Sequence, residues 1–174
     1  MVVALLVSLM ACDGRRSDSL DVFASASCGI IQSWIDAVED ETVALSRAVT
    51  PLDDASERVG HYRLFATAID LRTWDTLRQL KRIAPAAGDG RIAADALIAA
   101  MERSRGVTEE LIALADSFPD DDDDPEPLVS RISSMFIRLE KAFAHPNKAR
   151  DQLAERYDQY VDLPACADYV NPVT

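Results

Sequence analysis

Cys28-Gly29-Ile30-Ile31-Gln32-Ser33-Trp34-Ile35-Asp36-Ala37-Val38 opens the segment whose reading decides the fold. From here to Val49, the residues Ile31, Trp34, Ile35, Val38, Leu45 and Val49 recur at spacings of three and four, the period of a helix with one buried face. No stretch shows the sustained alternation with turn signals that marks a strand. The helical spacing returns further along. Thr50 suits an N-cap, Pro51 a first helical position and Asp53 a capping partner, so a second helix is expected to about Ala84. Its core face reads Ala55, Val59, Tyr62, Ala66, Ile69, Leu77, Leu80 and Ile83. Asp53, Asp54 and Glu57 near its start and Arg78, Lys81 and Arg82 near its end complement the helix dipole.

Pro85 and Gly88-Asp89-Gly90 break the chain. A third helix, Arg91 to Phe118, is expected to bury Ile92, Ala96, Ala100, Val107, Leu111, Leu114 and Phe118, with Gly106 weakening its continuity. Pro119 to Pro127 reads as a loop. A fourth helix from Leu128 carries Ile132, Met135, Phe136, Leu139 and Phe143 inward. Pro146 is expected to kink or split it, and Leu153, Tyr157 and Val161 continue the stripe. Four long helices with short links imply an all-α antiparallel bundle over residues 28–170, ahead of a short tail at 171–174. A domain of about 145 residues is ample to bury a core.

Residues 2–10, Val-Val-Ala-Leu-Leu-Val-Ser-Leu-Met, form an apolar run too short to span a bilayer. Their length suits the apolar part of a secretory signal over residues 1–11, with the small Ala11 just before the cut. Leu9-Met10-Ala11-Cys12 resembles the bacterial lipoprotein signal, which implies that Cys12 becomes the lipidated N-terminus. Met10 is a less usual occupant, and no Lys or Arg precedes the run. The alternative is an apolar segment packed in the core with Cys12 a buried thiol. Residues 12–27 read as the lipidated Cys12 and a polar tether, of which 13–26, rich in Ser and Asp, span at most about 50 Å.

Two further cysteines, Cys28 and Cys166, bracket the helical region. Neither lies in a C-x-x-C, and no His is close to either, which argues against zinc or a redox motif. In a reducing cytosol they would be buried thiols; in an exported protein a disulfide is expected. Such a long loop contributes on the order of 4–5 kcal/mol in the chain-entropy account.

With 18 Lys and Arg against 30 Asp and Glu, the chain carries a formal charge of −12. This argues against nucleic acid as a partner and against an electrostatic hold on anionic membranes. Two acyl chains on Cys12 would hold the protein regardless, at about 0.8 kcal/mol per buried CH₂.

Residues for chemistry are sparse. His61 stands four residues after Glu57, but di-iron bundles need Glu-x-x-His twice over, so a solvated or capped His61 is expected. His145 precedes Pro146 and reads as part of the kink. Asp120 to Asp124, flanked by prolines and without alternating ligands or a Gly, reads as a solvated, self-repelling loop rather than a calcium site. Trp74 falls off the core stripe, either as a contact residue or packed at a helix edge. No nucleophile elbow, phosphate loop or H-E-x-x-H occurs, so no catalytic, cofactor or metal residue is assigned.

Cys12, the polar spacer, Cys28 opening an amphipathic helix, and Leu163-Pro164-Ala165-Cys166 together resemble small uncharacterised cell-envelope lipoproteins of actinobacteria. The resemblance implies a disulfide-closed helical bundle on the outer face of the cytoplasmic membrane, and it carries over no activity. The expected role is binding, or envelope interaction with a protein or small solute, through the bundle surface or a pocket between helices. One alternative is a hydrolase or metal-dependent enzyme built from dispersed carboxylates, for which Glu57 and His61 would face Glu109 or Glu110. Another is a soluble cytoplasmic bundle acting by oligomerisation.

Overall fold

The structure is a computed structural model that describes residues 14–50, 54–117 and 126–157. Cys12 and Cys166, the apolar segment 1–11, the aspartates 120–124 and the tail 171–174 lie outside the described residues. Four helices make up the fold: α1 (Gly14–Val49), α2 (Ala55–Ile83), α3 (Asp89–Asp116) and α4 (Glu126–Arg156). Among the described residues there is no strand.

Cross-helix contacts set an antiparallel register. On the α2/α3 seam Arg63 meets Asp116 at 2.6 Å and Lys81 meets Glu102 at 2.9 Å. On the α3/α4 seam Arg138 meets Glu110 at 2.7 Å near one end, and Tyr157 donates to Asp89 at 3.1 Å at the other. These exposed ion pairs fix alignment more than they stabilise, at about 0–1 kcal/mol each. The core runs through Ile31, Trp34, Ile69, Leu80, Leu97, Met101, Leu111, Ile132 and Leu139, all 3% exposed or less.

Helix ends follow local chemistry. Asp54, not Thr50, caps α2: its carboxylate accepts from the Glu57 amide at 3.0 Å. Thr50 instead closes α1, its amide and its hydroxyl both bonding the Ser46 carbonyl. Pro85 follows the end of α2, and Gly88, at φ 78°, supplies the left-handed turn into α3.

Three expectations are corrected. The tether assigned to 12–27 is helical from Gly14 onward, and Leu20, Phe23 and Ala24 are at most 4% exposed. These residues and Cys28 repeat at three- and four-residue spacing, so they bury one face although Asp and Ser lie between them. In α3, Ile92 points outward at 46% exposed, while Leu97 and Met101 fill the core. The expected kink or split at Pro146 is not borne out: α4 runs as one helix from Glu126 to Arg156 with Pro146 inside it. The carbonyl that Pro146 cannot serve, that of Ala142, accepts instead from the Ser104 hydroxyl of α3 at 2.7 Å.

Candidate functional site

Of all helix pairs, α1 and α4 make the least direct backbone contact. Large aromatic side chains prop them apart. Trp34 of α1 meets Phe143 of α4 edge-on, ring centroids 5.5 Å apart. Trp34 is fixed from behind: its Nε1 donates to the Thr73 hydroxyl at 3.0 Å, which donates to the Ile69 carbonyl at 2.8 Å. Phe136 lies between Tyr62 and Phe65 of α2, at 5.0 and 5.4 Å.

Beyond Trp34, toward the C-terminal end of α1, the side chains that face α4 become short. Thr42, Leu45, Ser46 and Val49 do not bridge the gap, and after Val38 no residue of α1 is fully buried. The result is a cleft of roughly 440 Å³, with Phe65, Phe136 and Phe143 on its walls and Ile137 and Glu140 on its α4 side. Its size is in the range of small-ligand sites, and its lining is mostly apolar with a few polar groups. Ile137 is 57% exposed. A second hollow of roughly 310 Å³ between α1 and α2 shares Leu45 and Phe65 with it, and is lined also by Glu41, His61 and Leu64.

The groups named for chemistry are not brought together. Glu109 pairs with Arg105 at 3.0 Å and Glu110 with Arg138 at 2.7 Å, and neither shares a hollow with His61 among the described residues. Arg105 also bonds Asp70 at 2.9 Å, and that hydrogen bond holds its pKa above the ordinary guanidinium value. His61 lines the second hollow with Glu41, and Glu57 is exposed. Among the described residues, no three His, Cys, Asp or Glu form a group that could hold a metal ion. Trp74 is half-exposed, with the Arg78 guanidinium 4.6 Å from its ring centroid. Cys28 is buried and is not without a partner. Sequence reasoning missed the cleft because its walls are ordinary core-type residues. Only the change along α1 from Trp34 to Thr42 and Ser46 hinted at it.

Among the described residues, no helix is long and apolar enough to cross a membrane. Comparison with known protein families, with curated proteins and with solved structures finds no match to the chain.

Proposed function

We propose that this chain is a lipid-anchored, extracytoplasmic binding module of the cell envelope, taking up an apolar ligand in the cleft between α1 and α4. The observation that carries the binding role is the cleft itself, walled by Leu45, Phe65, Phe136 and Phe143 from three helices. A neutral ligand with an extended apolar part suits it, since Glu140 is the one charged group among the described residues of its lining.

The anchor rests on Leu9-Met10-Ala11-Cys12 and on the resemblance to actinobacterial envelope lipoproteins. The described core begins at Leu20, so cleavage before Cys12 leaves all of it in place. Cys12 lies two residues ahead of α1, so acyl chains on it would hold that end of the bundle directly at the membrane. The proposed Cys28–Cys166 bridge is supported by the burial and engagement of Cys28.

Two measurements test this reading. The mass of native protein extracted from membranes should match a chain starting at diacylglyceryl-Cys12 and gain two hydrogens on reduction. A full-length, unmodified mass with three free thiols would remove anchor and bridge together. For the cleft, the neutral fluorophore N-phenyl-1-naphthylamine should bind and brighten, and Ser46→Trp, which fills the space from an exposed position, should abolish the signal. Equal binding by that variant would place the ligand elsewhere.

A further inference from the structure

The outer face of α2 carries apolar residues where a bundle helix is ordinarily polar. Leu64 and Leu71 are 67% and 59% exposed, two turns apart on one line of the helix, and Trp74 beside them is 42% exposed. Arg78 and Arg82 continue the same line. The opposite face, through Ala66, Ile69, Thr73 and Leu80, is fully buried in the protein's own core. The outer stripe therefore has no structural task inside the bundle.

The charge around it is not that of the whole chain. All 18 Lys and Arg lie inside the four helices, whereas 11 of the 30 Asp and Glu lie between or beyond them. The helical body is thus nearly neutral, and the formal −12 belongs largely to connecting and terminal segments. Within the body α2 is the most basic element, with six Lys and Arg against three Asp and Glu. Arg63 and Lys81 are committed to Asp116 and Glu102 on α3. Arg72 and Arg82 make no ion pair among the described residues, and Arg78 has Asp75 at only 3.8 Å. Arg78 stands over Trp74 with Asp75 near it, Arg82 lies one turn further along, and Arg72 flanks Leu71 on the other edge of the stripe.

We propose that this face of α2 lies on an anionic lipid surface. Leu64, Leu71 and Trp74 enter the boundary between headgroups and acyl chains, and Arg72, Arg78 and Arg82 meet phosphates. Charge complementarity excludes a second α2 as occupant, because two basic faces repel. A lipid surface suits the stripe better than an acidic protein because Leu64, Leu71, Trp74, Arg78 and Arg82 follow one line about 27 Å long, and the hollow between α1 and α2 touches that line only at Leu64. Interfacial helices combine these features, apolar and Trp side chains on one line with basic residues beside it. The Arg78 guanidinium over the Trp74 ring already holds the cation at the level of the indole. The inference rests on α2 and not on a modified Cys12, so either can fail without the other.

The test uses the full chain with Cys12→Ser, which carries no lipid, and vesicles of phosphatidylcholine with or without about one-third phosphatidylglycerol. Binding is expected to the anionic vesicles only, to weaken as salt rises, and to shift Trp74 emission to the blue, Trp34 being buried already. Leu71→Asp with Trp74→Gln, and separately Arg72→Gln with Arg78→Gln and Arg82→Gln, should each lower partitioning about tenfold or more, because a screened basic patch and an apolar stripe act together. Ile92→Asp, an exposed apolar site on α3, should leave it unchanged and controls for folding with circular dichroism. Equal binding to zwitterionic vesicles, or by the α2 variants, would overturn the proposal. So would an α2 face that ignores vesicles and captures polyglutamate, which would make the partner an acidic protein.

Discussion

The Ser104 hydroxyl of α3 donates to the Ala142 carbonyl of α4 at 2.7 Å, one turn before Pro146. Proline has no amide hydrogen, so in an isolated helix that carbonyl would lack its partner. Ser104 is fully buried and substitutes for the missing donor, letting α4 continue unbroken through Pro146. Ser104→Ala should therefore cost about 1–3 kcal/mol, the penalty of a buried acceptor left without a donor. In a Pro146→Ala background the helix supplies its own amide, and the same substitution should cost less than half as much. Urea unfolding of the four proteins as a double-mutant cycle gives the coupling; additive effects would mean the two residues act separately.

A second buried hydroxyl makes a related prediction. Thr73 accepts from Trp34 Nε1 at 3.0 Å and is itself fully buried, so Thr73→Val leaves the indole N–H without an acceptor. The expected loss is about 1–3 kcal/mol in urea unfolding. Thr67 lies on the exposed side of α2 and bonds only the Arg63 carbonyl at 2.9 Å. Thr67→Val should stay within about 0.5 kcal/mol of the parent protein. Equal losses at both positions would show that the Trp34 bond adds nothing.

Those hydroxyls also explain what the sequence reveals and what it hides. Apolar periodicity finds Ile31, Trp34 and Val38 on α1, Val59, Ile69 and Leu80 on α2, and Ile132 and Leu139 on α4, all of which are buried. It passes over Ser27, Thr73 and Thr108, whose hydroxyls each bond a backbone carbonyl three or four residues earlier, and Ser104, whose hydroxyl serves the Ala142 carbonyl of α4. A Pro read as a helix breaker was outweighed by a donor on another helix, which no local rule contains. Composition misled at 12–27, where Asp and Ser suggested a tether while Leu20, Phe23 and Ala24 kept helical spacing. The cleft was legible least, since it depends on the gap between α1 and α4.

The proposed disulfide has a defined partner. Gly14 and Cys28 stand on one unbroken helix, about 21 Å apart along its axis. Cys12, two residues before Gly14, reaches back about 7 Å at most, whereas a disulfide needs Cα atoms within about 7 Å. Cys166 follows Tyr157 by nine residues, a reach of about 30 Å, and Tyr157 sits at the bundle end where α3 begins. Peptide mapping without reductant should therefore give a Cys28–Cys166 pair and leave Cys12 outside it. Reduction should lower stability by on the order of 4–5 kcal/mol in the chain-entropy account, read as a fall in the urea midpoint. A Cys12–Cys28 peptide would contradict the continuity of α1.

Alkaline pH should loosen the same end of the bundle. Desolvation, and then the bond to Asp89, raise the Tyr157 pKa above its ordinary value. The phenol is protonated more readily in the folded chain than in the unfolded one, so its contribution to stability is complete below about pH 10, the unfolded value, and is lost as pH climbs through the folded value. Deprotonation removes the proton that Tyr157 donates to Asp89 and sets two negative oxygens 3.1 Å apart. Melting temperatures of the parent protein and Tyr157→Phe should differ at pH 8 and converge as pH rises beyond about 10. A difference that stays constant across that range would show that the bond between α4 and the start of α3 contributes no pH-dependent stability.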